Sequence, residues 1–336
     1  MNLRSFGRTG VKVSELCLGC MMFGGKTAPD DSYNIIDKAI DAGINFLDTA
    51  NVYSIGRSEE VTGEALKRNG QRDRVILATK VHGTMDESDP NMQGTSRRHI
   101  IQQCEASLRR LQTDYIDLYQ LHRPRAEIPI DETLRALDDL IRAGKVRYIG
   151  SSTYAAWQLV ESLWVAKELG LNRFVCEQPP YNLLDRRIER ELLPMAQTYG
   201  FAVIPWSPIG GGLLTGKYKR GQELPEGARF ADQTNPIYRR RLTERIYDVV
   251  EGLEPIAAEK GCTLAQLSLA WVLHQPGVTS PIIGPRTMAQ LEDNLGALAV
   301  ALTDEDRARV DAASPPGGMV APFYEADFGP SRYRPF

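Results

Sequence analysis

The segment GINFLDTANVYS (residues 43–54) contains a short apolar run that ends on an aspartate and leads into a polar turn. Seven further runs of this kind are spaced along the chain. Their nearly continuous Val, Ile, Leu and Phe content is typical of strands that are buried on both faces, as in a parallel sheet. The eight runs are ELCLG (15–19), INFLD (44–48), VILATK (75–80), YIDLYQLH (115–122), VRYIGS (146–151), FVCEQ (174–178), FAVIPW (201–206) and SPIIG (280–284).

Amphipathic helical patterns separate these runs, and glycines stand where most of the helices are expected to end. Eight strand–helix units predict a parallel sheet, and eight parallel strands close a barrel. We therefore predict an α/β fold, a (β/α)8 TIM barrel. The predicted helices lie near 30–42, 58–69, 96–111, 131–143, 154–169, 187–199, 243–260 and 287–297, with glycines at 43, 70, 144, 170, 200 and 261.

One domain over residues 1–336 accounts for the whole pattern, since α/β barrels reach this length as a single unit. Residues 3–15 predict a β-hairpin before the barrel. Residues 207–240 and 314–336 are long and rich in Gly and Pro, and loops of this length are usually functional or mobile. We interpret 314–336 as an irregular tail whose aromatic side chains pack over the barrel mouth or against a second subunit. These aromatics are Phe323, Tyr324, Phe328, Tyr333 and Phe336.

The composition excludes several classes of protein. Of the 336 residues 25% are charged, and 40 Lys and Arg against 43 Asp and Glu leave no basic excess for a nucleic-acid partner. No apolar run approaches about 18 residues, and the first ten residues lack the apolar core of a secretory signal. Five scattered cysteines indicate reduced thiols rather than a disulfide framework. We therefore expect a cytoplasmic protein without a membrane partner.

Nearly every predicted strand delivers a polar side chain at its carboxyl end, where barrels of this kind carry their active sites. An aspartate, a tyrosine, a lysine and a histidine in one pocket favour a particular chemistry. A phenol is a weak acid, with a pKa of about 10, and a nearby ammonium makes it a stronger one. A carboxylate would hold that ammonium, and an imidazole would orient a carbonyl group. The four residues are Asp48, Tyr53, Lys80 and His122.

The motifs around these residues resemble the aldo-keto reductase superfamily, and the similarity extends in order to about residue 313. It is strongest toward the microbial aryl-alcohol-dehydrogenase-like reductases and the potassium-channel β-subunits. The matching motifs are GINFLDTANVYS (43–54), VILATK (75–80), DYIDLYQLHRP (114–124), GKVRYIGSS (144–152), EQPPYNLL (177–184), WSPIGGGLLTGKY (206–218) and IIGPRTMAQLEDN (282–294).

The resemblance implies NADPH-dependent reduction of aldehydes or ketones to alcohols, with no metal. Tyr53 would donate the proton, Lys80 would make it a stronger acid, and Asp48 would anchor the lysine. His122 would position the substrate carbonyl. Small-molecule carbonyls are the implied partners, and assembly into a homo-oligomer stays open.

The resemblance also implies the residues that hold the cofactor. Ser152, Thr153 and Gln178 would bind the nicotinamide carboxamide, although relatives often carry Asn in place of Thr153. Trp206 would stack on the nicotinamide ring. The adenosine and its 2′-phosphate would lie at the last strand and helix, so that Arg286 favours NADPH over NADH. The full cofactor set is Gly19, Met21, Asp48, Ser152, Thr153, Gln178, Trp206, Ser207, Pro208, Ile209, Gly210, Gly212, Lys217, Gly284, Arg286, Gln290, Asp293 and Asn294.

Two other functions compete with this interpretation. One is a regulatory subunit that senses NADP(H) with weak turnover, as in the channel β-subunits, which typically carry Asn where this chain has His122. The other is a barrel enzyme that binds a lone phosphate, for which Trp206 and Gln178 would lack a purpose. Two residues also have alternatives to a role in cofactor binding. Trp206 could be part of the core, and Arg286 could be a solvated surface charge. Met21, Met22 and Phe23 predict an apolar wall for the substrate.

Overall fold

Eight parallel strands form the predicted (β/α)8 barrel in the computed structural model, which describes residues 1–125, 127–232 and 234–324. Neighbouring strands follow the order β10-β3-β4-β5-β6-β7-β8-β9. The last pair closes the barrel through backbone hydrogen bonds from Thr279 to Val203 and from Ile282 to Pro205, both 2.8 Å. The barrel strands are β3 (Cys17–Gly19), β4 (Phe46–Asp48), β5 (Ile76–Val81), β6 (Ile116–Leu121), β7 (Val146–Ser152), β8 (Cys176–Gln178), β9 (Ala202–Val203) and β10 (Ile282–Ile283).

The predicted hairpin is also present and covers the amino-terminal end of the barrel. Strands β1 (Leu3–Ser5) and β2 (Lys12–Ser14) pair antiparallel. Phe6, in the turn between them, is buried and packs edge-on against Phe46 inside the barrel at 5.6 Å between ring centroids. The hairpin therefore seals one end of the barrel with apolar side chains and leaves the carboxyl ends of the strands for the site.

Helices connect the strands close to where the sequence predicts them, and each of the six glycines predicted at a helix end has a positive φ. A glycine adopts this conformation without the steric cost that a Cβ would impose. The helices are α1 (Pro29–Asp41), α2 (Arg57–Asn69), α3 (Arg97–Leu111), α4 (Ile130–Arg142), α5 (Ala156–Leu169), α6 (Leu192–Tyr199), α7 (Pro236–Arg241), α8 (Glu244–Glu259), α9 (Leu264–Leu273), α10 (Met288–Gly296) and α11 (Asp304–Ala313).

Three of these helices, α7, α9 and α11, were not predicted. All but one of the ten residues of α9 are buried, so its sequence lacks the one-sided periodicity that identifies an amphipathic helix. Tertiary packing therefore determines its conformation. The remaining sign of a helix in the local sequence is the N-cap Thr263, whose hydroxyl accepts a hydrogen bond from the Gln266 amide. Among the described residues, no helix has both the length and the apolar content needed to cross a membrane.

Candidate active site

Asp48, Tyr53, Lys80 and His122 meet at the carboxyl ends of the barrel strands. The Lys80 ammonium forms an ion pair with Asp48 Oδ1 and donates a hydrogen bond to the Thr49 carbonyl at 2.8 Å. Its Nζ also lies 3.3 Å from the Tyr53 hydroxyl. That hydroxyl lies 3.4 Å from His122 Nε2. The four side chains predicted from sequence therefore form one connected group around a phenol.

The strand register explains why residues so distant in sequence meet. Asp48 ends β4 and pairs with Ala78 of β5, two residues before Lys80. His122 follows β6, and its backbone amide donates to the Val81 carbonyl at 2.9 Å. Parallel strands in register deliver their last side chains to the same edge, so the site is a consequence of the barrel.

Tyr53 lies on a tight turn that contains backbone strain. The next two residues, Ser54 and Ile55, have φ values of 48° and 52°, which non-glycine residues rarely adopt. Glycines make room around the turn, since a Cβ on Gly25 would lie 2.5 Å from Ser54 Oγ and one on Gly56 would lie 2.6 Å from Arg110. Strain of this kind persists only where its surroundings fix it, and here they fix the loop that carries the phenol.

Lys80 is fully buried, and a buried ammonium must be paired. Burial by itself would lower its pKa. The attraction of Asp48 and Tyr53 and the hydrogen bonds to both outweigh that effect, so the pKa of Lys80 is raised. The site therefore holds a positive charge beside the phenol at neutral pH.

The pKa of His122 shifts in the opposite direction to that of Lys80. Burial lowers its pKa well below the usual value, and the positive charges of Arg123, Lys80 and His82 lower it further. The imidazole is therefore neutral at pH 7. A neutral imidazole can donate one hydrogen bond to a carbonyl oxygen without acting as an acid.

The second oxygen of Asp48 has two amide partners, one of which was not predicted. Asp48 Oδ2 accepts hydrogen bonds from Gln178 Nε2 at 3.0 Å and from Gln120 Nε2 at 2.9 Å. Gln120 is fully buried in β6. Its only signal in the sequence is a polar residue inside an apolar run, two positions before His122, which an alternating strand pattern directs into the barrel interior.

The predicted carboxamide-binding residues Ser152, Thr153 and Gln178 are neighbours. Ser152 Oγ donates to the Gln178 carbonyl at 2.8 Å, and the Thr153 amide donates to the same oxygen at 3.2 Å. Thr153 has a φ of 63°, and buried Glu177 steadies the turn by accepting hydrogen bonds from Ser151 Oγ at 2.6 Å and from the Tyr154 amide at 3.0 Å. Glu177 was not predicted from sequence.

The glycine-rich loop after β9 lies beside a cluster of cations. Gly210, Gly211 and Gly212 all have positive φ. A Cβ on Gly211 would lie 3.3 Å from Arg229 Nη1, and one on Gly212 would lie 3.2 Å from Lys217 Nζ. Burial lowers the pKa of Lys217, as do the charges of Arg286 and Arg229. Three cations this close together suit the binding of an anion.

Arg229 extends the predicted set. It lies in the segment 207–240, which was expected to be functional but whose course the sequence does not define. A short 3-10 turn, Arg229–Ala231, brings the guanidinium back to the glycines, and Phe230 anchors it by packing edge-on against Tyr218 at 5.7 Å. Lone arginines in a long loop carry no spacing signal, which is why sequence reasoning missed it.

The residues predicted for the adenosine end lie around the start of α10. The Gln290 side chain accepts a hydrogen bond from the Arg286 amide at 2.8 Å, and the Arg286 carbonyl accepts one from Thr27 Oγ1 at 3.2 Å. Asp293 Oδ1 accepts a hydrogen bond from Thr263 at 3.0 Å, which directs that oxygen toward α9. Asn294 is buried, and Gly284 is exposed.

Trp206 lies at the mouth and contacts the tail. Its ring centroid is 6.2 Å from that of Phe323, which is fully buried. Its buried Nε1 has no hydrogen-bond partner among the described residues. The Tyr324 hydroxyl donates to the Tyr154 carbonyl at 2.6 Å, next to Thr153. The described part of the tail therefore packs at the mouth, while Phe328, Tyr333 and Phe336 lie outside the described residues.

The other predicted cofactor residues lie along the same rim. Gly19 ends β3, where a Cβ would lie 2.6 Å from Ile282 Cγ2, and Met21 is 42% exposed just beyond it. Of the apolar wall proposed for the substrate, Met22 and Phe23 are buried, which leaves Met21 as its accessible part. The segment Ser207, Pro208 and Ile209 leads from Trp206 into the glycine loop.

The histidines predict how stability depends on pH. Burial lowers the pKa of His82 from 6.5 to about 3 and that of His99 to about 4, and His122 shifts in the same direction. Below pH 6.5 these histidines bind protons in the unfolded chain but not in the folded chain. The free energy of unfolding should therefore fall as the pH drops from 6.5 toward 4, by about 1.4 kcal/mol per pH unit for each histidine.

Glu177 changes the free energy of unfolding in the opposite direction. Burial raises its pKa from 4.5 to about 8, so the stability that it contributes is lost as the pH rises from 4.5 to 8. Below pH 6.5 the three histidines change the free energy of unfolding more steeply with pH than the single carboxyl group does, so stability falls with acid. Urea denaturation at pH 4.5 to 8 tests this balance, with His99→Leu as the variant that should flatten the acid slope by one histidine's share. An unchanged slope in that variant would contradict the assignment.

Comparison with known proteins agrees with this geometry. A sequence model described as "Aldo/keto reductase family" matches residues 15–315. The chain is 41% identical over 335 residues to an uncharacterized oxidoreductase, YrpG, of Bacillus subtilis, covering 96% of this chain and 99% of that protein. It is 39% identical over 304 residues to a probable voltage-gated potassium channel subunit beta of Oryza sativa, covering 89% and 92%. It is 35% identical over 329 residues to the versiconal hemiacetal acetate reductase of Aspergillus parasiticus, covering 91% and 95%.

The family match and the named relatives support an oxidoreductase, in a family that generally binds nicotinamide cofactors. The chain belongs to the aldo/keto reductase family, as the sequence motifs indicated. Its relatives include both reductases and channel β-subunits, so the predicted branch of the family is confirmed as well.

Proposed function

We propose that this protein reduces aldehydes or ketones to alcohols with NADPH. The observation that carries the proposal is the Tyr53 hydroxyl, 3.3 Å from Lys80 Nζ and 3.4 Å from His122 Nε2. When bound, the reduced nicotinamide supplies a hydride to the carbonyl carbon. The oxygen of that carbonyl gains negative charge and needs a proton, and a phenol held between a fixed cation and a neutral imidazole is placed to give it.

Each neighbour of Tyr53 has a separate task in this scheme. Lys80 stabilises the phenolate that remains after the proton leaves, because its charge is fixed by Asp48. His122 donates a hydrogen bond that orients the carbonyl oxygen toward the phenol. The rim residues and the packed tail reduce the access of water, which strengthens both electrostatic effects.

The cation cluster suits the phosphates of a dinucleotide. Burial lowers the pKa of Lys217, and repulsion by the positive charges of Arg286 and Arg229 lowers it further. A bound polyphosphate would relieve that repulsion, and Gly211 and Gly212 leave space beside the cations that a Cβ would crowd. We assign the pyrophosphate to the 207–217 loop and the 2′-phosphate to Arg286. At the other end, Ser152, Thr153, Gln178 and Trp206 would enclose the nicotinamide.

The test of the function is steady-state turnover of a panel of aldehydes and ketones, run with NADPH and with NADH side by side. We expect oxidation of NADPH that depends on the carbonyl substrate. Cofactor binding without turnover of any carbonyl would favour a regulatory sensor. Failure to bind either dinucleotide would favour a different barrel enzyme.

Arg286 predicts the choice of cofactor. A guanidinium contributes about 1.5–3 kcal/mol through a hydrogen bond to a charged group, so Arg286→Ala should weaken NADPH binding roughly 10- to 150-fold. NADH lacks the 2′-phosphate, and its affinity should change little. Titration by cofactor fluorescence measures both.

A matched control for this prediction is Arg309→Ala, which removes a half-buried arginine of α11 that pairs with Glu259 of α8. It should leave both affinities unchanged. Equal losses for NADPH and NADH in Arg286→Ala would mean that Arg286 supports the loop and does not recognise the phosphate.

We also place the protein in the cytoplasm. All five cysteines are free thiols, and four of them are buried. Burial raises the pKa of Cys20 and of Cys104 to about 12, so these thiols are poor nucleophiles. Proteins of reducing compartments keep their cysteines in this state. Fractionation of cells that express the tagged chain tests the placement.

A further inference from the structure

Gln120, Gln178 and Asp48 form a closed triangle of hydrogen bonds beneath the mouth. Asp48 Oδ2 lies 2.9 Å from Gln120 Nε2 and 3.0 Å from Gln178 Nε2. The third side joins Gln178 Nε2 to Gln120 Oε1 at 3.2 Å. All three side chains are at most 3% exposed. The other oxygen of Asp48 holds Lys80, so the triangle adjoins the proton-donating group.

The chemistry of the carboxylate fixes how both amides are oriented. An ionised carboxylate paired with an ammonium only accepts hydrogen bonds, so each glutamine must turn its NH2 group toward Asp48. The NH2 group of Gln178 has two hydrogens, and both are used, one on Asp48 Oδ2 and one on Gln120 Oε1. Without Gln120, only one of these two hydrogens would have an acceptor.

The oxygen of the Gln178 amide is then the atom that remains for a ligand. Within the described residues both hydrogen bonds of the Gln178 side chain are donated by Nε2, and neither involves Oε1. Gln178 Oε1 is not one of the described side-chain oxygens and nitrogens that are fully buried without a hydrogen-bond partner. It therefore borders space that a ligand can reach. It is next to Ser152, whose hydroxyl donates to the backbone carbonyl of Gln178.

We propose that Gln120 is a positioning residue that locks the Gln178 amide with Oε1 toward the nicotinamide carboxamide and steadies Asp48 on Lys80. The NH2 group of the carboxamide is then recognised by Gln178 Oε1, an acceptor that is held in one orientation. The inference rests on the proposed binding of a nicotinamide dinucleotide. It adds a residue to which neither the motifs nor the comparisons assign a role, and it joins cofactor recognition and proton donation in one network.

A pair of cofactors that differ in one group tests the proposal. The 3-acetylpyridine analogue of NADP+ has a methyl group in place of the carboxamide NH2 and cannot donate to Gln178 Oε1. The wild-type protein should bind NADP+ about fivefold more tightly than the analogue, the scale of one neutral hydrogen bond. In Gln120→Met, which keeps the side-chain length, the Gln178 amide keeps only its hydrogen bond to Asp48 and can pivot about it, so that Oε1 is no longer held on the carboxamide. The ratio should then fall below about twofold.

Titration calorimetry gives both dissociation constants without requiring turnover. Gln103→Met is the matched control, since Gln103 is an equally buried glutamine that instead accepts a hydrogen bond from Asn51. It should keep the fivefold ratio. If Gln120→Met does not fold, Gln120→Leu removes the same acceptor from Gln178 Nε2 and should lower the ratio in the same way, whereas an unchanged ratio would overturn the inference.

The outcomes separate this inference from the proposed function. A wild-type protein that binds neither dinucleotide refutes the function itself. A wild-type protein that binds both equally, or a Gln120→Met variant that weakens both while keeping their ratio, overturns the inference and leaves the function standing. In the second case Gln120 fills space in the barrel and does not orient Gln178.

Discussion

Replacing Tyr53 with phenylalanine is expected to lower kcat for carbonyl reduction by at least about two orders of magnitude, the usual scale for a lost general acid. The substitution removes only the hydroxyl that lies between Lys80 and His122. His122 cannot replace it, because burial and nearby positive charges depress its pKa well below 6.5, and at pH 7 it is a neutral imidazole whose remaining N–H is too weak an acid. Lys80 cannot replace it either, since its raised pKa makes it a weaker acid than a free lysine.

The measurement is single-turnover oxidation of bound NADPH by an aldehyde that the wild-type protein reduces. NADPH affinity and the urea midpoint should stay close to wild type, because the ring still packs edge-on against His122 at 5.5 Å. Tyr33→Phe is the control, since it removes a hydroxyl that donates to Glu64 Oε2 on the outer helices. Turnover in Tyr53→Phe above a tenth of the wild-type rate would exclude Tyr53 as the proton donor.

The residues around Tyr53 could be predicted because a parallel barrel converts a sequence pattern into a position in space. Each apolar run ends at the mouth, so the residue that follows it is placed there whatever the loops do. Asp48, Lys80 and His122 all satisfy this rule, and the structure brings them together. Tyr53 lies five residues beyond its strand, and the family motif, rather than the strand pattern, marks it.

The residues that escaped prediction lack such a rule. Gln120 and Glu177 lie inside strands, where the one-dimensional pattern does not show which buried polar residue meets which partner. Arg229 lies in a long loop whose course depends on aromatic packing around Tyr218. Helix α9 is buried almost all round, so its periodicity is hidden. In each case tertiary contacts, rather than local sequence, determine the outcome.

Replacing Lys80 with methionine is expected to reduce both activity and stability. The variant leaves the Asp48 carboxylate buried beside the barrel core without its cation, and breaking a buried ion pair in this way costs about 3–5 kcal/mol. Activity should fall by at least about two orders of magnitude, because the phenolate left by Tyr53 would lose the charge that stabilises it. Urea denaturation and single-turnover kinetics measure the two losses separately.

The double variant Asp48→Asn with Lys80→Met separates the stranded charge from the missing side chain. An asparagine can still accept from Gln120 and Gln178 through its oxygen, and it carries no charge to desolvate. Most of the lost stability should therefore return, while activity stays as low as in the single variant. If the double variant is as unstable as Lys80→Met, the loss arises from packing around the methionine rather than from Asp48. A return of activity together with stability would mean that the ammonium supports the fold alone and takes no part in proton donation.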